Sequence, residues 1–216
     1  MAAALEMSGP ESVHHPLFAR FYERFSRKAE AKGADRHRDK LLAGLTGQVV
    51  EVGAGNGLNF AHYPGTVDQV VAVEPEPYLR ERAAHAAAEA GVQVDLVPGV
   101  ADRLPLDDGS CDAGVASLVL CSVPQQGRAL AELRRVIRPG GELRFYEHVR
   151  SHRAGYARLE DLGDPIWSRL AGGCHINRDT QTAIRDAGFQ IESIERFPFD
   201  ATVVPIAHII GVARRP

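Results

Sequence analysis

A chain of 216 residues, 44% of them apolar, is long enough to close one substantial hydrophobic core and matches a single globular unit of ordinary size. A formal net charge of -3 and a pI near 6.3 give no general attraction to phosphates, and no local basic patch stands out. The composition therefore excludes nucleic acid as the expected partner and favours a small molecule.

Three cysteines, Cys111, Cys121 and Cys174, are odd in number, widely separated and without C-x-x-C spacing. That argues against a disulfide framework or a structural zinc site, so no metal is expected and a reducing, cytoplasmic setting is. The first residues reach Glu6, Pro10 and Glu11 without a basic segment followed by an apolar core, which excludes a signal peptide. The longest apolar stretch, Ala113 to Val123, is too short to span a bilayer.

Residues 1–46 read as an N-terminal helical cap and residues 47–216 as the main domain. Leu17, Phe18, Phe21, Tyr22 and Phe25 recur at helical spacings, with Arg20, Glu23, Arg24 and Arg27 facing elsewhere, so the aromatic stripe should cover the core. Tyr22 on that stripe is placed to close over a ligand or line a substrate entrance. A second helix is expected from Arg36 to Leu45, after a break near Gly33.

Val49 to Gly57, V-V-E-V-G-A-G-N-G, reads as a buried strand that breaks into three glycines. A short helix over Leu58 to Tyr63 follows, then a strand at Val70 to Val73 ending in Glu74 and Pro75, and an Ala-rich helix from Pro77 to about Ala90. Val92 to Val97 and Cys111 to Val119 are the next strands, separated by a polar loop from Val100 to Ser110. A helix from Pro124 to Ile137 ends in Arg134, Arg135 and Arg138, and Pro139-Gly140-Gly141 punctuates the chain before a strand at Glu142 to Val149. Leu159 to Leu170 and Arg178 to Ala187 read as helices, and Phe189 to Phe197 and Ile206 to Ala213 as strands joined by a proline-bearing turn. Repeated β-α units imply parallel strands with helices on both faces, whereas the last connection is too short for a helical crossover. The predicted fold is α/β and Rossmann-like: a mostly parallel seven-stranded sheet with one antiparallel strand.

The glycine turn departs from the dinucleotide fingerprint. Gly53, Gly55 and Gly57 give G-x-G-x-G, and Leu58 stands where the third glycine of G-x-G-x-x-G belongs, which spoils the fit to a pyrophosphate. Glu51, two residues before the turn, would repel an anion but suits an ammonium group, directly or through water. Glu74, 21 residues beyond Gly53, sits where open α/β sheets offer a carboxylate to a ribose. S-adenosylmethionine meets these demands, with a ribose, no phosphate, a sulfonium and an amino-acid end.

At this point the chain resembles the class I S-adenosylmethionine-dependent methyltransferases. E-V-G-A-G-N-G is similar to their first motif, V-V-A-V-E-P to their second, A-D-R-L-P-L-D-D-G-S to their adenine loop, and L-R-R-V-I-R-P-G-G-E-L to the run into their fifth strand. The resemblance implies Val100, Ala101 and Asp102 beside the adenine and Ser117 and Leu118 beside the methionine part, with Asn59 joining the cofactor set. A narrower likeness, carried by L-V-L-C-S-V, E-H-V, D-P-I-W, G-G-C-H-I-N-R and P-I-A-H-I-I-G, is to the alkyl-thiol methyltransferases anchored to membranes in animals. The charged N-terminal helices replace the hydrophobic anchor of that group, so membrane attachment is not expected.

The resemblance implies methyl transfer to a small molecule by in-line displacement, with a thiol as the acceptor. An O-, N- or C-methyltransferase of a quinone, lipid or secondary metabolite, or a non-catalytic cofactor-binding module, are the competing readings. Alignment and removal of water supply much of such an acceleration. His148, after the fifth strand, and His175, in a glycine-rich segment, are the candidate bases. Cys121 and Cys174 read as pocket lining and Trp167 as a core or pocket wall.

Overall fold

The computed structural model describes residues 16–199 and 206–216. The apolar runs form β1 (Gly47–Val52), β2 (Val67–Val73), β3 (Gln93–Val97), β4 (Cys111–Ser117), β5 (Ile137–His148), β6 (Gln190–Phe199) and β7 (Ile206–Arg214). They make one seven-stranded sheet in the order β3-β2-β1-β4-β5-β7-β6. Only β7 is reversed: it pairs antiparallel with β5 and β6, and the other adjacent pairs are parallel. The predicted proline-bearing turn before β7 lies outside the described residues.

Helices α1 (Pro16–Ala29), α2 (Asp35–Leu42), α3 (Pro77–Ala88), α4 (Gln126–Val136), α5 (Ala154–Leu170) and α6 (Thr180–Asp186) complete the fold. The two-residue period of the strands divides the apolar side chains between two cores. Val50 and Val52 pack with Leu130, Leu133 and Val136 of α4 and Ile184 of α6. Val49, Val70 and Ala72 pack with Leu41 and Leu42 of α2 and Ala83 of α3. Alternation therefore turns Glu51 toward the second core, where its side chain is 2% exposed.

Several elements depart from their predicted form. Within the aromatic stripe of α1, Phe21 does not cover the core: it is 62% exposed, whereas Ala19 and Ser26 are buried and Tyr22 is half-buried. The helix turns a small, hydrogen-bonding face inward, with Ser26 Oγ accepting from Asn56 Nδ2 of the glycine turn at 3.2 Å. The side chains of Leu17, Phe18 and Phe25 lie outside the described residues. The helix predicted over Leu58 to Tyr63 shrinks to a 3-10 turn, Phe60–His62, because Pro64 holds Tyr63 in extended backbone at ψ 131°.

Pro139-Gly140-Gly141 does not end an element, since β5 begins at Ile137 and runs through it, with a register shift opposite Cys111 and Ala113 taking up the extra residues. A Cβ on Gly141 would stand 2.6 Å from the Asp112 carbonyl oxygen, so glycine permits the approach. Arg138 consequently belongs to β5 and pairs with Asp112 at 2.6 Å, rather than complementing α4. Among the described residues no helix is long and apolar enough to cross a membrane.

Candidate active site

The sheet order reverses between β1 and β4, and the parallel strands all deliver their carboxyl ends to one edge there. In open α/β sheets that crevice is where ligands bind. Glycine turn, Glu74, the loop after β3, Ser117-Leu118 and His148 all arrive at this edge, one from each of the first five strands.

Gly53, Gly55 and Gly57 hold φ of 61°, 58° and 79°, a left-handed turn that side chains disfavour. A Cβ at Gly53 would collide with Val119, and one at Gly57 would stand 2.8 Å from the Phe60 ring. Glu74, 5% exposed, braces the turn: Oε2 accepts from the Gly55 N–H at 2.8 Å and Oε1 from the Glu76 N–H at 2.9 Å. Pro75 carries the chain into α3, its carbonyl accepting from Arg80 Nη1 at 3.3 Å. Tyr22 lies over the turn, its ring 3.4 Å from where a Gly55 Cβ would be.

Beneath the turn is a buried polar chain that the sequence did not announce. Glu51 Oε1 accepts from Asn59 Nδ2 at 2.8 Å, Oε2 accepts from the Tyr63 hydroxyl at 2.7 Å, and Asn59 Oδ1 accepts from Arg38 Nη1 at 2.6 Å. Arg38 in turn donates to Glu30 at 2.9 Å. Burial pushes the Glu51 pKa from its ordinary 4.5 up to about 7, against the lowering effect of Tyr63, Asn59 and Arg38.

Because folding raises this pKa, the carboxyl's contribution to stability is fully present below 4.5 and is lost as pH rises through about 7. The loss amounts to about 3 kcal/mol. Glu51→Gln should remove that slope, so the stability difference between the natural chain and the variant, followed by urea denaturation, declines across this window and levels above it. A flat difference would contradict the buried-carboxyl account.

Near the end of β5, Glu147 is fully buried. Its Oε1 accepts from the Val119 and Leu120 N–H groups at 3.1 and 2.9 Å, and its Oε2 from the Cys121 N–H at 3.0 Å. Burial drives its pKa well above the usual carboxylate range, opposed by these three N–H groups. The segment it gathers starts at Leu118, whose φ of 58° is strained for a side-chain-bearing residue, and follows Ser117, whose buried Oγ has no hydrogen-bond partner.

His148 turns Nδ1 toward two sulfurs, 3.4 Å from Cys121 Sγ and 3.3 Å from Cys174 Sγ. His175 points elsewhere: its Nδ1 meets Asp164 Oδ2 at 2.6 Å, while its backbone N–H donates to the Cys121 carbonyl at 2.8 Å. The Asp164 pair fastens the 171–178 segment to α5, and it is also the arrangement that orients a histidine base. Trp167 has a buried indole N–H without a conventional partner beside Cys174, whose thiol pKa is lowered chiefly by the Cys121 contact and further by that indole, against burial.

The loop after β3 is shaped by Arg135 of α4, which donates to the Leu104 and Leu106 carbonyls at 3.0 and 2.8 Å and pairs with Asp108 and Glu132. A short bridge between Val100 and Arg103 sets the turn that carries Ala101, half-buried against the core, and Asp102, exposed.

Residues 50–145 match the family described as Methyltransferase domain. The chain is 34% identical over 206 residues to the thiol S-methyltransferase TMT1B of Homo sapiens, covering 91% of this chain and 84% of that protein. It is 35% identical over 154 residues to the thiol S-methyltransferase TMT1A of Homo sapiens, covering 68% of this chain and 63% of that protein. A solved S-adenosylmethionine-dependent methyltransferase from Thermotoga maritima superposes with a TM-score of 0.69 at 21% identity, covering 93% of this chain and 98% of that one.

Proposed function

The chain belongs to the S-adenosylmethionine-dependent methyltransferase family, and from that membership we propose that it methylates a small-molecule thiol at sulfur. The observation that carries the acceptor is the likeness to a thiol S-methyltransferase, which extends over 91% of the chain and so includes the acceptor side as well as the donor turn.

The residues present fit the methyl donor. The left-handed glycine turn leaves a cradle that a Cβ would obstruct, and the orphaned Ser117 Oγ is a buried polar atom suited to a ligand partner. In this reading Glu74 and Pro75 border the ribose, Val100, Ala101 and Asp102 border the adenine, and Ser117 and Leu118 meet the methionine part. Glu51 and Asn59 support the amino-acid end from below Gly53, Gly55 and Gly57, and Tyr22 closes the N-terminal cap over the turn. When bound, S-adenosylmethionine supplies a methyl group on a sulfonium, ready for in-line displacement.

The protein's share is alignment and exclusion of water, worth about 7 to 11 kcal/mol in well-oriented intramolecular reactions. Glu147 contributes by fixing residues 119–121, and Val119 packs directly on Gly53, so acceptor and donor sides meet at one contact. A thiol with pKa near ~8.5 is a few per cent thiolate at neutral pH and demands little proton removal. His148, turned onto Cys121 and Cys174, is the group we assign to acceptor activation. The Asp164–His175 pair supports a second reading, an oxygen acceptor, because an alcohol needs a base far more. Three unbridged, buried cysteines suit a cytoplasmic location.

Incubation with methyl-labelled donor and a mixture of thiols, alcohols and amines, followed by mass spectrometry, tests the proposal. Labelled thioether is the expected product. Label on oxygen or nitrogen alone would replace the thiol reading, and saturable donor binding without turnover would favour a binding module.

A further inference from the structure

The cysteines and histidine on the acceptor side form a triangle whose dimensions are specific. Cys121 Sγ and Cys174 Sγ are 3.8 Å apart, and His148 Nδ1 is 3.4 and 3.3 Å from them. Zinc bonds of about 2.3 Å to sulfur and 2.0 to 2.1 Å to nitrogen, at tetrahedral angles, place sulfurs roughly 3.8 Å apart and nitrogen roughly 3.5 Å from each sulfur. The triangle has those proportions. A disulfide is a poorer description, since its sulfurs bond at about 2.05 Å and nothing would call for the imidazole between them.

Each ligand is also held from behind. Cys121 has its N–H on Glu147 and its carbonyl on the His175 N–H. The Cys174 N–H donates to the Ala171 carbonyl at 3.1 Å, after Gly172 and Gly173 turn the chain at φ of 61° and 87°. His148 stands on β5, its ring 4.5 Å from that of His208 on β7. Ligands fixed before a metal arrives are what a precise site requires.

We propose that Cys121, His148 and Cys174 hold a zinc ion whose open fourth position takes the acceptor thiol. The ion site stands on this geometry; the role of the fourth position rests on the thiol reading above. Spacing alone hid the site, because its three ligands come from the loop after β4, the end of β5 and the segment after α5, and the expectation of no metal is accordingly revised.

Two sulfurs and one nitrogen with a free position is a composition that zinc enzymes use for chemistry. On loading, the two cysteine thiols release their protons to solvent. The acceptor thiol loses its proton to solvent when its sulfur joins the zinc, because a coordinating thiol is deprotonated outright. A bond then forms between the acceptor sulfur and the methyl carbon as the donor's carbon–sulfur bond breaks, its electron pair remaining on the sulfur of neutral S-adenosylhomocysteine. The neutral thioether is a weak ligand and leaves, and nothing is oxidised or reduced.

Metal content measured on the full chain separates these claims. After zinc chloride loading and dialysis, native mass spectrometry should show about one zinc per chain, and Cys121→Ser with Cys174→Ser should weaken zinc binding about 100-fold or more with helix content unchanged by circular dichroism. Cobalt(II) in place of zinc should give tetrahedral thiolate bands that shift on adding a small alkyl thiol. A natural chain that retains no zinc, or a Cys121–Cys174 disulfide in its peptides, overturns the site. Cobalt bands indifferent to thiol overturn the fourth-position role, as does full thiol turnover by metal-free protein, which would leave the thiol reading intact. Stoichiometric zinc with no thiol methylation would instead leave the site and overturn that reading.

Discussion

Gly53→Val is expected to weaken binding of the methyl donor by about 100-fold or more, a loss near 2.7 kcal/mol by calorimetry. The backbone there has φ 61°, which costs a β-branched side chain more than the roughly 1 to 2 kcal/mol charged to any L-residue. The added Cβ also meets Val119, whose N–H is tied to Glu147 and cannot retreat without releasing that bond. The turn therefore deforms toward the ligand, and the acceptor side deforms with it. Gly53→Ala should show the same direction with a smaller loss. Unchanged donor affinity in both variants would show that the turn does not cradle the donor.

Glu147→Ala is expected to cost about 4 kcal/mol, a fall in Tm of roughly 8 to 16 °C for a chain of this size. The carboxyl group is fully buried and its oxygens accept from three backbone N–H groups, each costing about 1 to 3 kcal/mol when left buried without a partner. Part of that penalty is relieved if water fills the hole. Glu147→Gln should fall between, because its single carbonyl oxygen can serve Val119 and Leu120 while its amide faces the Cys121 N–H donor to donor. A Glu147→Ala chain melting within about 2 °C of the natural one would contradict this account of the 118–121 turn.

The glycine turn and the sheet edge it lies on were legible because their logic is local. Three glycines two apart announce a left-handed turn, Glu74 ends an apolar run, and alternating strands and helices imply the parallel sheet in which both reach one edge. The lone reversed strand followed from a connection too short to cross over. The cluster of Cys121, His148 and Cys174 was not legible, because its members meet only through the sheet. Cys121 and Cys174 read as pocket lining and His148 as a candidate base, although the three atoms share one triangle.

Glu147 carries no motif of its own, since what it binds is backbone. Arg38 of α2 carries no sequence signal either, yet it is 7% exposed and donates to Asn59 and Glu30 beneath the glycine turn. Phe21 on the aromatic stripe of α1 misled for the opposite reason. Helical period identified its faces, but hydrophobicity misplaced Phe21, because the surface below is a polar turn that accepts Ser26 and Tyr22 instead.

The central claim is that the cluster of Cys121, His148 and Cys174 activates an acceptor sulfur. The most direct measurement compares kcat/KM for three acceptors of one carbon skeleton that differ only in carrying a thiol, a hydroxyl or an amine, at fixed donor concentration. The account predicts that the thiol is preferred by about 1,000-fold or more. An alcohol or amine methylated as efficiently as the thiol would contradict it.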